Sequence, residues 1–312
     1  MTGRELGLWA AVAALLALVP VLLPDSFYLG LATHAAVFAI LALSLNILIG
    51  HAGMTSLGHA AYLGVPAYAV AVLTAQAGWS PGLAVLAALG LGTLTAAVFG
   101  VLALRASGLG FLMITLALGQ VMWGAAYRWV GLTGGDNGVR MQGRPHLFGV
   151  DLGQALPFYA LVASALFATL FCLWQLDRSA FGACLRGTRD QPRRMRMLGH
   201  DVWAIRWVAF VMSGFWGSVA GVLYAFDYQY VSPAALSLPQ SAEALLMVVL
   251  GGAGTLAGPV AGAVIITIIK TVVSSYVDRW YTLLGLTFII VVSVMPRGLV
   301  PGLRNWLQGR RA

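Results

Sequence analysis

Ten apolar runs separated by short polar stretches mark the chain, at 8–23, 31–49, 59–77, 82–104, 110–130, 157–176, 207–226, 241–252, 259–275 and 281–295. A bilayer-spanning helix uses about 20 apolar residues, so ten spans take roughly 200 positions and leave about 110 for loops and ends. Open sheet edges cannot face lipid, so these runs predict helices, with any non-helical backbone buried in protein or lining water. The expected fold class is all-α: a polytopic integral membrane protein of about ten transmembrane helices, some broken, forming a single domain over 1–312. The first run, preceded by Arg4, is followed by Pro24, Asp25, Ser26 and Phe27 rather than a small-residue cleavage pattern, and so reads as a retained span.

Composition sharpens this picture. Hydrophobic residues make up 60% of the 312 and charged residues 9%, against about 25% charged in an ordinary soluble domain, which excludes a soluble enzyme. The 38 glycines suit close helix packing in lipid. Cys172 and Cys184 imply no disulfide framework. The net charge of +8 is carried by arginines apart from Lys270, and seven of the eighteen basic residues fall between Arg178 and Arg206. A second basic group, Arg297, Arg304, Arg310 and Arg311, lies in the 296–312 tail. Basic loops stay inside, so both segments are expected in the cytoplasm, and ten spans then place the amino terminus there too. The same parity puts the 131–156 loop outside, where Asp136 and Asp151 balance Arg140 and Arg144.

Catalytic chemistry finds little support. A phosphate-binding loop ends in Gly-Lys-Ser/Thr, but Lys270 is the one lysine and Ile269 precedes it. The run VVLGGAGTLAGPVAGA at 248–263 lacks the strand and ribose-binding acid of a dinucleotide fold. His51 and His59 are eight apart and would share a face of a continuous helix; without a third ligand no metal is expected. Lys270 reads as a side chain snorkelling to the interface, Glu243 as a first-turn acid and Asp227 as a span-end residue.

Two segments carry the functional signal. NILIGHAGMTSLGHAAYLG, at 46–64, is either a polar turn between spans or a helix break that offers backbone and hydroxyl groups to a solute. GHAG at 50–53 is echoed by GGAG at 251–254. Candidate pathway residues are therefore Asn46, His51, Thr55, Ser56, His59, Tyr62, Gly251, Gly252 and Gly254, with Gln120 deeper in its own span. The second segment, 177–206, either binds anionic headgroups or docks a soluble partner. There Asp190 is expected to cap a short helix, with Pro192 in its first turn and Gly199 at its end.

These motifs, together with SGLGFLMITLALGQ (107–120), LTGGDNG (132–138), VVLGGAGTLAGP (248–259) and PRGL (296–299), resemble the permease subunits of high-affinity branched-chain amino acid ABC importers, specifically the longer member of the pair. The likeness runs from about residue 30 to Leu303. It implies a heterodimer with a second homologous permease, two cytoplasmic ATP-binding subunits, and a periplasmic or lipid-anchored solute-binding protein in the bacterial inner membrane. ATP and magnesium would be bound by the ATPases, so the chain itself needs no cofactor and nucleic acid is no partner. It also implies a coupling helix, with Gly182, Arg186, Arg189, Asp190, Arg193, Arg194, Arg196, Leu198 and Gly199 as the docking residues. Family members commonly place a Glu and paired alanines before the closing Leu-Gly, whereas this chain reads Gln191, Pro192, Arg193, Arg194, Met195, Arg196, Met197. That departure implies a more basic docking face. Branched-chain amino acids are the expected cargo, with urea, short amides or aromatic acids as alternatives in the same superfamily. A stand-alone channel or secondary transporter would need more buried acids than the spans contain, and an intramembrane enzyme would need a clustered nucleophile and base.

Overall fold

A computed structural model describes residues 3–22, 25–141, 143–144, 146–147 and 150–274, with a few isolated positions between 282 and 302. The expected span 281–295 and the 296–312 tail fall mostly outside the described residues. The helices are α1 (Gly3–Leu22), α2 (Ser26–Asn46), α3 (Ala60–Ala75), α4 (Pro81–Ala103), α5 (Leu109–Arg128), the single turn α6 (Val130–Thr133), α7 (Ala155–Arg178), α8 (Ala180–Asp190), α9 (Pro192–Met197), α10 (Val202–Tyr228), α11 (Leu238–Gly251) and α12 (Ala257–Ser274). Among the described residues, five helices are long and apolar enough to cross a bilayer, with shorter apolar helices beside them. The helix expected at 207–226 begins earlier, because Asp201 accepts hydrogen bonds from the backbone N–H of Trp203 (2.9 Å) and Ala204 (3.1 Å) and so caps α10. Arg206 therefore belongs to a helix rather than to a loop.

α2 is the hub. From Ala35 to Asn46 every side chain is buried, as expected of a helix apolar on all sides, and α7, α10, α11 and α12 surround it. α4 is peripheral. Its buried residues Ala84, Ala88, Gly92, Ala96 and Gly100 repeat every fourth position, giving a small-residue stripe that lets two backbones approach closely. The stripe meets α10, and a Cβ on Gly214 would stand 2.0 Å from Ala96 Cβ. The Trp207 indole N–H donates to the Ala97 carbonyl oxygen at 3.0 Å across the same contact. Leu86, Leu94 and Val98 on the opposite face of α4 are exposed, as a lipid-facing surface requires. Replacing Gly214 with valine is expected to destabilise the bundle by about 1–3 kcal/mol through overpacking. Thermal unfolding in detergent checks this; an unchanged midpoint would contradict the close α4–α10 contact.

α1 lies against α7, with Trp9 edge-on to Phe167, Phe171 and Trp174 at 5.4, 5.4 and 5.6 Å. At the end of the bundle away from the arginine-rich segment, two short strand pairs form: β1 (Val139–Arg140) with β4 (Tyr230–Val231), and β2 (His146–Leu147) with β3 (Val150–Asp151). The first pair clips the long loop between α6 and α7 to the end of α10.

Candidate translocation and coupling site

The 46–64 segment is a helix break. After Asn46 the helix widens into a π turn over Ile47–His51, then runs irregularly through 52–59 before α3 starts. His51 and His59 therefore do not share a face of a continuous helix. The His51 Nδ1 lies 3.3 Å from the Asn46 carbonyl oxygen and its Nε2 3.5 Å from Asp177. His59 is fully enclosed, with Nε2 2.7 Å from the Ser44 hydroxyl and its ring edge-on to Tyr62 at 5.3 Å. Ser56 and Tyr62 are also fully buried. Thr55 lines a cavity of about 370 Å³ near the arginine-rich end, together with Gly53, Ser107 and Arg206. Gln120 is half-buried on α5, next to Gly119, which abuts Gly58.

The second break, between α11 and α12, touches the first. The Asn46 amide donates to the Thr255 carbonyl oxygen at 2.9 Å, and its side-chain oxygen accepts from the Gly254 N–H at 2.8 Å. Gly50 sits so close that a Cβ there would stand 2.4 Å from the Gly254 nitrogen. Only a residue without a side chain fits. Gly252 and Gly254 have φ of +116° and +81°, which favour glycine, while a Cβ on Gly251 would meet the Gly258 carbonyl oxygen at 1.8 Å. Higher in the bundle, α3 and α11 are joined near their starts, where the Ala60 N–H donates to the Ser241 hydroxyl at 2.9 Å. With 14 residues, α11 is about 21 Å long, short of the ~30 Å hydrocarbon core.

The arginine-rich segment is wired into this pair of breaks. It forms two helices, α8 and α9, rather than the single short helix expected, because Gln191 adopts an extended conformation (φ −144°, ψ 79°) between them. Asp190 is the last residue of α8 and not a cap; Ser179 caps α8, accepting from the Gly182 N–H at 3.0 Å. Gly182 is buried so tightly in the α7–α8 elbow that a Cβ would meet the Leu176 carbonyl oxygen at 2.0 Å. Arg186 bonds the Asp177 carboxylate and its carbonyl oxygen, and Arg206 reaches back from α10 to the Thr188 carbonyl oxygen at 2.8 Å. Arg189 donates to the Gly50 carbonyl oxygen inside the first break. Gly199, at φ +84°, ends α9 as the sequence predicts, and the His200 N–H closes the turn on the Met195 carbonyl oxygen at 3.1 Å. Arg193, Arg194, Arg196, Met197 and Leu198 lie along α9 and its end, and all five are exposed, leaving a basic face with an apolar edge.

Three charged residues read as peripheral prove to be paired inside the bundle. Asp227 has a side chain only 3% exposed and bonds both His34 and Arg144. Arg144 also donates to the Phe226 carbonyl oxygen at 3.1 Å and lies 4.0 Å from the Phe158 ring centroid. Burial pushes its guanidinium below the usual value while the Asp227 carboxylate pulls it back up. Glu243 is not a first-turn acid and Lys270 does not snorkel outward: the ammonium bonds both carboxylate oxygens, at 2.9 and 3.1 Å. The physical reason is the expense of an unpaired charge among apolar helices. That rule, applied to one lysine and one acid in separate apolar runs, is the signal that points to the pair. Aromatic rings connect the two charged groups. Lys270 lies 5.8 Å from Phe38, Phe38 6.3 Å from Tyr224, Tyr224 4.4 Å from Tyr228, and Tyr228 4.9 Å from His34.

No solved structure matches the chain significantly. Among curated proteins, the high-affinity branched-chain amino acid transport system permease proteins LivM of Salmonella typhimurium and Escherichia coli are each 27% identical over 305 residues, covering 89% of this chain and 71% of theirs. The autoinducer 2 import system permease protein LsrC of an Enterobacter species is 28% identical over 276 residues, covering 83% of this chain and 76% of its own. The family model described as branched-chain amino acid transport system / permease component matches residues 27–293. Apolar helices, paired breaks and family match converge: this multi-pass membrane chain is a transport permease and belongs to that family.

Proposed function

We propose that the chain forms half of the translocation pathway of an ATP-driven importer for branched-chain amino acids, working by alternating access beside a second, homologous permease. The arginine-rich end and both termini face the cytoplasm of a bacterial cell. Two ATP-binding subunits, which hold ATP and magnesium, dock on α8 and α9, and a solute-binding protein delivers cargo to the opposite end, where Arg144 and the β1–β4 clip fix the loop surface. The observation that carries this reading is the hydrogen bond from Arg189 to Gly50, because a displacement of α8 then acts directly on the first break. Asn46 passes the strain on to the second. The pathway residues named from the sequence, Asn46, His51, Thr55, Ser56, His59, Tyr62, Gln120, Gly251, Gly252 and Gly254, then belong to or flank the two coupled breaks.

Replacing Arg193, Arg194 and Arg196 together with glutamate reverses the charge of the docking face without touching the elbow. Co-purification of the ATP-binding subunits is expected to fall roughly tenfold or more, since close like-charge contacts cost several kcal/mol. Membrane insertion of the chain is expected to be unchanged. Undiminished co-purification and uptake would overturn the docking assignment. The LsrC-type relative favours a second cargo, autoinducer 2, on the same machinery; competition of labelled leucine uptake by unlabelled autoinducer 2 separates the two.

A further inference from the structure

We infer that Glu243 and Lys270 form a binding site within the bundle for the charged ends of a zwitterionic α-amino acid, resting on the amino-acid reading of the cargo. The Glu243 side chain is 3% exposed and that of Lys270 32%. Counting 1.5 Å per residue along α11 and α12, the two Cα atoms lie about 12 and about 20 Å from the breaks at the arginine-rich end, inside the apolar layer.

An ion pair at that depth is a poor way to hold two helices together. Apolar residues of similar volume serve as well or better, and ionisable residues within membrane helices mark solute or ion paths. The pair is reachable from the lysine side, where the Lys270 side chain keeps about a third of its surface open while that of Glu243 stays covered. The flat ring of Phe38 stands beside Lys270, and Tyr224 stands beside Phe38. Such faces accept an ammonium group through its attraction to the ring and an aliphatic side chain through apolar contact.

A zwitterion can enter this site by exchange. Its ammonium group takes the place of Lys270 on the Glu243 carboxylate, and its carboxylate takes the place of Glu243 on the Lys270 ammonium. Before and after the exchange the carboxylates of Glu243 and the solute and the ammonium groups of Lys270 and the solute each have an opposite charge beside them. A neutral solute offers neither partner and gains nothing from opening the pair. The site thereby distinguishes amino acids from uncharged cargo.

The test uses the complete importer, assembled from this chain and its partner subunits in proteoliposomes, with labelled leucine as the probe. The double substitution Glu243→Leu with Lys270→Met keeps the packing and removes both charges. Leucine uptake is expected to fall about tenfold or more, as for a site built to bond polar groups that finds none, with the amount of assembled complex unchanged. Wild-type uptake with equal uptake by the double variant would overturn the site while leaving the cargo assignment standing. Absence of leucine uptake by the wild-type importer would overturn the cargo assignment and the site with it. Should the double variant fail to assemble, Glu243→Asp with Lys270→Arg keeps both charges and shifts them. There a KM for leucine raised by about fivefold or more, with the maximal rate retained, supports the site, and an unchanged KM overturns it.

Discussion

Replacing Asn46 with leucine is expected to disable the transporter and loosen the bundle at once. The side chain is fully buried, and it satisfies the Gly254 N–H and the Thr255 carbonyl oxygen through its two hydrogen bonds. Leucine has similar bulk but neither donor nor acceptor. Each buried backbone group left without a partner costs about 1–3 kcal/mol, so the substitution should lower stability by about 2–6 kcal/mol. It also cuts the link between the two breaks. Uptake by the assembled importer is expected to fall roughly tenfold or more, because a motion at Gly50 would no longer be passed to 251–255. Thermal unfolding and uptake measured on the same preparation check both parts. A variant with wild-type stability would show that the amide does not staple the breaks.

The second large effect concerns the ion pair. Lys270→Met alone strands the Glu243 carboxylate among apolar helices. Removing one partner of a buried pair costs about 3–5 kcal/mol, and the lower end applies because the lysine is 32% exposed. Adding Glu243→Leu to that background is expected to restore most of the loss, since the stranded charge is then gone. Unfolding midpoints of the single and double variants therefore form a sign test. A double variant less stable than Lys270→Met would mean that the carboxylate has other charged neighbours.

The apolar pattern marks each helix from α1 to α5, and α7 and α10 to α12, within a few residues, because lipid demands uninterrupted apolar length and tolerates few polar positions. Boundaries fail where a cap outweighs hydropathy. Asp201 is the clearest case: its carboxylate starts α10 well ahead of the edge predicted at Trp207, and so draws Arg206 into the helix. Helix breaking at 47–59 is legible from clustered glycine and hydroxyl residues, yet a single sequence does not distinguish a break from a turn, since both need the same residue types. Nor does local pattern show that Asn46 meets Gly254, or that His34 meets Asp227. Those contacts join positions 208 and 193 residues apart, and only the packing of α2 against α10 and α12 brings them together. The arginine cluster is visible as a docking segment, while its division at Gln191 depends on one backbone conformation.

The central position of α2 has a consequence for biogenesis. Its polar residues Ser44 and Asn46 are synthesised early, whereas their partners Ser213, Gly254 and Thr255 emerge some 169 to 209 residues later. At about 5–20 residues per second, the longest of these delays is roughly 10–40 s. During that interval the nascent segment stands in the membrane with unmet hydrogen-bonding groups and an incomplete set of covering helices. Quality control therefore has a clear mark to read: a ribosome that stalls before residue 254 releases a product whose innermost helix lacks α12 beside it and both partners of Asn46, and such fragments should be cleared by membrane proteases far faster than the finished chain.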